Sequence, residues 1–269
     1  MNSKPFDEQA KVDTSKAQPV LLFFGLILLL SLPFWILEVF LPVQILPGLP
    51  LSALAAFVPA MAALILAARQ GGRSGAWDLL KRSLDAGRVK NKAWFLAVLL
   101  INPAIAAAAY GIMRLSGKAL PSPTLTWGIL PMLVMFFLAA LGEELGWTGY
   151  ATGPLQQRLG VAGAGMLLGA VWAAWHVVPL LQAGRAWEWI AWWGLGTLAQ
   201  RVIMGWLYVH GGKSVFAAAL FHAMINLCWQ LFPVQGSYYD PRIFGLVTTG
   251  LAVAVMVAER LREARLNRR

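Results

Sequence analysis

Two glutamates stand side by side in LGEELGWTGY, residues 141–150, at the end of a run from Trp127 to Leu141 that holds no charged residue. Adjacent carboxylates in a low-dielectric setting resist simultaneous ionisation, so Glu143 and Glu144 could supply one base and one acid. Two later stretches add groups of other kinds. His176 sits in VWAAWHVVP with Trp172 one turn earlier, and in LFHAMIN His222 and Asn226 are four apart, so they leave one helix face together. A carboxylate that takes a proton from water, a histidine that orients that water, and His222 and Asn226 as donors to an oxyanion make an inventory for hydrolysis. Each group also has a plainer reading. His176 alone would be a satisfied structural histidine, and His222 with Asn226 could be hydrogen-bond glue between helices. Glu38 and His210 fall near helix ends, where a long or ring side chain reaches water, and are set aside.

These residues need elements to position them, and the composition says which kind. Of 269 residues 59% are hydrophobic and only 13% charged, with a mean hydropathy of +0.64; that excludes an ordinary soluble domain. Charge-poor runs long enough for about 30 Å of hydrocarbon, roughly 20 residues each, recur eight times: about 19–41, 46–68, 94–113, 125–146, 160–181, 187–208, 214–232 and 243–260. All are expected to be helical, because lipid offers no partner to an exposed backbone group. The predicted fold class is therefore all-α, a polytopic integral membrane protein with about eight transmembrane helices in one bundle. Residues 1–18 read as a polar tail rather than a cleaved signal peptide, 19–260 as the bundle, and 261–269 as a basic tail.

The basic residues are distributed unequally. If the eight runs all cross, 17 of the 22 Lys and Arg fall on one side, in the tails, residues 69–92, Arg158 and Lys213; Arg114, Lys118, Arg185 and Arg242 fall on the other. Arg201 lies within the sixth run. The asymmetry predicts both termini in the cytoplasm, as in a multi-pass protein of a prokaryotic inner membrane. The net charge of +10 flanks the spans and so points to anionic membrane lipid, not nucleic acid. Within residues 69–92 the spacing of Trp77, Leu79, Leu80 and Leu84 suggests a short amphipathic piece on the headgroups. The single Cys228 forms no internal disulfide and reads as packing. Nothing in the sequence sets an oligomeric state.

GEELGWTGY, WAAWH and FHAMIN, in this order on successive helices, resemble the three motifs of the CAAX prenyl protease and bacteriocin-processing (CPBP, or Abi) family, over roughly residues 125–230. The resemblance implies an intramembrane endopeptidase with motifs EExxxR, FxxxH and HxxxN. Position by position, Glu143 and Glu144 match the paired glutamates, His176 the second motif and His222 with Asn226 the third. In the family's glutamate mechanism the first glutamate, with the second motif's histidine, activates water, which makes Glu143 the expected base. Two positions depart: Thr148 stands where the pattern has arginine, and Trp172 where it has phenylalanine. Arg201 is the candidate to replace the missing charge from another helix.

No cofactor is the favoured expectation. Zinc on Glu143, His176 and His222 is the alternative, although HExxH is absent and no single helix offers two histidines. The implied substrate is a hydrophobic or prenylated peptide, which a tryptophan-rich site in the membrane suits. The competing readings are a non-catalytic protein on the same fold, such as a bacteriocin-immunity factor or scaffold, and, more remotely, a proton-coupled transporter. One geometric conflict stands in the catalytic reading. At about 1.5 Å per residue, the glutamates fall near one end of the fourth span and His176 near the other end of the fifth, unless the fourth helix continues past Tyr150 or the glycines of the fifth break it.

Overall fold

A computed structural model describes residues 18–41, 43–46, 49–123, 126–233 and 236–266. The predicted tail falls almost wholly outside the described residues, as do Arg268 and Arg269. Eight α-helices follow one another: α1 Gln18–Phe40, α2 Val58–Lys81, α3 Ala93–Leu115, α4 Ile129–Gly146, α5 Gly153–Gln182, α6 Trp187–His210, α7 Val215–Leu231 and α8 Pro241–Leu266. Apart from one short strand pair, the described residues form a helical, polytopic membrane bundle. By length and composition, 19–40, 51–88, 93–115, 129–182 and 241–262 are each able to cross a membrane, and α7 is a shorter apolar helix.

The second span differs from its expectation. Residues expected to open it form instead a short antiparallel pair, β1 Gln44–Leu46 with β2 Leu49–Pro50, and a 3₁₀ segment, Leu51–Phe57, so that α2 starts only at Val58. Pro50 and Pro59 carry no amide hydrogen, and Pro59 sits in the first turn of α2, where none is needed. At its far end α2 kinks at Gly71 and Gly72, the latter at φ +63°, a conformation glycine adopts at little cost. The amphipathic piece follows the kink. Trp77, Leu80 and Leu84 are exposed as expected, but Leu79 is buried and packs with the core of α1, α2 and α5.

Glycine lets the helices that carry the glutamates and the counter-charge come close. At Gly146 a Cβ would lie 2.6 Å from the Pro59 carbonyl carbon, and at Gly142 2.9 Å from the Ala56 carbonyl oxygen, so α4 lies directly on the 3₁₀ segment and the start of α2. Gly165 and Gly169 do the same between α5 and α6, against Val202 and Leu198. We expect Gly146→Ala to cost about 1–3 kcal/mol by overpacking, read as a lower thermal midpoint of the purified protein. Gly153→Ala, where nothing lies within 4 Å of the new methyl, should leave the midpoint unchanged.

The depth conflict resolves through helix geometry. After Gly146 the chain stays helical through a π-type segment, Trp147–Thr152, and on into α5, which breaks at Gly160 with φ +68° before running back through the bundle. Both of the alternatives weighed from the sequence are realised. The wider π turn rotates the following residues relative to an α-helix, a feature common at functional sites. It also turns Trp147 inward, where it is fully buried.

Candidate active site

Glu143 and Glu144 are consecutive, yet the fold surrounds them differently. Glu144 is fully buried. Its Oε2 accepts from Arg201 Nη1 at 2.8 Å and from the Thr148 hydroxyl, and its Oε1 lies 2.9 Å from His222 Nδ1. Three side chains from three helical segments thus occupy both oxygens. Such a carboxylate is held by partners at both oxygens and acts as the hub that joins α4, α6 and α7.

Glu143 keeps one oxygen open. Its Oε2 accepts from the indole N–H groups of Trp172 at 2.7 Å and Trp147 at 3.3 Å, while its Oε1 stands 3.9 Å from His222 Nε2. A separation beyond 3.5 Å between two polar groups is the span a bridging water fills. Glu143 also lines a cavity of about 700 Å³ together with Trp172, His176, His222 and Asn226. The structure therefore places Glu143, His176, His222 and Asn226 on one cavity wall, although Glu143 and His176 were expected at different depths.

The ring nitrogens are constrained by what they face. His176 Nδ1 lies 2.9 Å from the Trp172 carbonyl, which can only accept, so Nδ1 carries the hydrogen and Nε2 is left as an acceptor. His222 is tied the same way, through Nδ1 to Glu144, and presents Nε2 toward Glu143. This revises the sequence expectation for His222: it can donate to an oxyanion only when it carries both ring protons. Asn226, half-buried on the cavity wall, is the amide that can donate in any state.

Arg201, of ambiguous role in the sequence, is 3% exposed and supplies the charge that Thr148 lacks. Its Nε and Nη2 have no hydrogen-bond partner among the described residues; the guanidinium carbon instead sits 4.2 Å from the centre of the Trp172 ring, within cation–π range. Thr148 is no mere loss either, because its hydroxyl bonds Glu144. Glu38 accepts from the Ser52 amide, and His210 packs on Trp94 and Trp206 near Glu259, both outside the site as expected. Cys228 lines the cavity further along α7.

Four contacts were not foreseen. The indole N–H groups of Trp147 and Trp172 orient Glu143, where sequence reasoning had seen only an aromatic wall. Gln200 donates to Asn102 at 2.8 Å, and Asn102 in turn donates to the Phe221 carbonyl at 3.4 Å, beside His222. This amide relay fixes α7 from α6 and α3. Two amides 98 residues apart leave no spacing signal, whereas Trp172, one turn before His176, did.

Trp172→Phe tests the indole. Phenylalanine keeps an aromatic face toward His176 and His222, whose rings lie 5.3 and 5.0 Å from that of Trp172, but donates nothing to Glu143. A lost hydrogen bond to a charged group costs about 1.5–3 kcal/mol. We expect roughly a tenfold to hundredfold fall in kcat with unchanged abundance in the membrane.

For a metal, Glu143, His176 and His222 would be the ligands. Among the described residues no three His, Cys, Asp or Glu side chains cluster closely enough to hold an ion; the atoms left to ligate would be Nε2 of each histidine and Oε1 of Glu143. The residues as placed do not form a ready metal centre.

A helical membrane bundle with a carboxylate and two imidazoles facing a shared internal cavity belongs to the class of intramembrane proteins that bury reactive polar groups between helices. Residues 124–228 match the family described as Type II CAAX prenyl endopeptidase Rce1-like, and the chain is 33% identical over 138 residues to CAAX prenyl protease 2 of Methanococcus maripaludis. This core segment is thus similar to CAAX prenyl endopeptidases of the Rce1-like kind. The alignment covers 48% of this chain and 48% of that relative, so the chain spans about half the length of the curated relative it matches.

Proposed function

We propose that the protein is an intramembrane endopeptidase in which Glu143 is the general base. The observation that carries this reading is the asymmetry of the two glutamates: Glu144 is saturated by Arg201, Thr148 and His222, while Glu143 keeps Oε1 free in the cavity beside both histidines. A water between Glu143 Oε1 and the acceptor Nε2 of His176 gives a proton to Glu143 as its oxygen attacks the scissile carbonyl. The new C–O bond leaves an oxyanion, toward which Asn226 donates. Glu143 then returns the proton to the departing amine as the C–N bond breaks. The two indoles hold the carboxylate in place throughout, which is preorganisation rather than proton transfer.

The apolar cavity walls suit a hydrophobic or lipidated peptide, and the family of the core segment supports prenylated CAAX-like sequences as the first candidates. Purified wild type in proteoliposomes should cleave a prenylated CAAX-like or a leader-like peptide at a defined bond, detected by mass spectrometry. Absence of cleavage across both peptide types, from protein whose helical content and melting behaviour are intact, would favour the non-catalytic alternative. The zinc alternative is settled on the same preparation, since activity that survives chelation at zero measured metal leaves no place for it.

A further inference from the structure

We infer that Arg185 binds the C-terminal carboxylate of the substrate, and so sets the scissile bond about three residues from the substrate's end. The scissile bond rests on the peptidase reading above; the carboxylate site can be read by binding alone.

Among the described residues, Glu143 and Arg185 are the only Lys, Arg, Asp or Glu that line the cavity. Glu143 stands at the reacting end and Arg185 in the turn between α5 and α6. The links α3–α4, α5–α6 and α7–α8, with the helix ends beside them, carry four cations: Arg114, Lys118, Arg185 and Arg242. Three of them are occupied. Arg242 pairs with Glu188 at 2.6 Å, Lys118 with Asp240 at 2.5 Å, and Arg114 donates to the Leu120 carbonyl at 3.2 Å.

The Arg185 guanidinium has no carboxylate or carbonyl partner among the described residues, and Glu188, the acid nearest to it in the chain, is taken by Arg242. It lies instead 4.7 Å from the centre of the Trp189 ring, which also lines the cavity. A ring face steadies the guanidinium without using its N–H groups. The donor fork is left for a ligand, and its geometry matches a carboxylate. An anion that every unmodified peptide carries is its terminal carboxylate.

A continuous track joins this cation to the site. On α5, His176, Pro179, Leu180 and Ala183 line the cavity at the spacing of one helix face, and on α6 Trp189, Trp193, Gly196 and Gln200 do the same. The two stripes meet where the rings of His176 and Trp193 stand 5.2 Å apart. From His176 to Ala183 the helix rises about 10 Å, at about 1.5 Å per residue, and Arg185 follows in the turn. An extended chain advances about 3.3–3.6 Å per residue, so three residues cover the same distance. A leaving segment of that length carries its carboxylate from the scissile bond to the guanidinium, with its side chains against Trp193 and Trp189.

The test uses the purified full-length protein in nanodiscs and an S-farnesyl peptide with three residues after the modified cysteine, made as the free acid and as the C-terminal carboxamide. Wild type is expected to cleave the acid with a KM about tenfold lower than the amide at similar kcat, the share of one charge-assisted hydrogen bond at an exposed site. In Arg185→Gln the acid and the amide should share one KM, and Arg185→Lys should restore part of the difference. Moving the carboxylate three residues further from the cysteine should abolish it in wild type. Equal KM values for acid and amide in wild type, a difference that survives in Arg185→Gln, or a preference that persists in the longer peptide overturns the proposal and keeps the peptidase. Labelled forms of the same two peptides are titrated by fluorescence anisotropy against Glu143→Gln and Glu143→Gln/Arg185→Gln. If wild type cleaves nothing, the peptidase reading falls; tighter binding of the acid that disappears with Arg185 then sustains the carboxylate site, and equal binding of acid and amide defeats it.

Discussion

Glu143→Gln is expected to lower peptide cleavage by about 10²–10⁴, the range that a positioned general base contributes, and to leave the fold intact. Glutamine is isosteric and its carbonyl oxygen can still accept from the indoles of Trp172 and Trp147, so packing survives while proton transfer does not. Glu144→Gln should behave in the opposite sense. An amide there meets Arg201 and His222 as a weaker acceptor, and the loss should show first in abundance and melting temperature. Measured side by side in proteoliposomes, the two variants separate base from hub. A Glu143→Gln protein that cleaves at the wild-type rate, beside a well-folded Glu144→Gln protein that is inactive, would reverse the assignment.

The second large effect concerns Arg201. Arg201→Met removes one member of an ion pair whose side chains are 3% and 0% exposed, and an uncompensated buried charge costs about 3–5 kcal/mol. The expected result is severe loss of folded protein in the membrane. Combining Arg201→Met with Glu144→Gln removes both charges, and replacement of a whole buried pair is often close to neutral. The double variant should therefore recover abundance well beyond the single, and its residual cleavage then reports what the hub adds to Glu143. If the double variant is no better than Arg201→Met alone, the pair is not what couples α4 to α6.

Much of this was open to reading from the chain. Eight apolar runs give eight helices because hydrocarbon forces hydrogen-bonded backbone, and intramembrane Glu, His and Arg residues stand out by their cost. Arg201 was conspicuous for that reason. The start of α2 was misplaced because hydropathy is blind to the prolines that delay it. Residues 147–152 fell between the expected fourth and fifth spans, and the wider turn they form, with Trp147 packed against Phe23 and Trp175, leaves no mark in hydropathy. The roles of the two carboxylates were equally hidden. Their inequality arises from partners on α5, α6 and α7, and consecutive residues in a sequence carry no mark of it. The Asn102–Gln200 relay lacked a pattern for the same reason.

Thr148 and Arg201 meet at one carboxylate oxygen of Glu144. That oxygen has room for one guanidinium, so the two positions share a single charge between them. An arginine installed at 148 in this background would set two cations against one acid in a space from which water is excluded, and one of them would have to leave. Among proteins built on this plan, arginine at the first position should accompany a neutral residue at the second, and the reverse. The counter-charge is then a movable part, free to change helix over evolutionary time so long as exactly one is present.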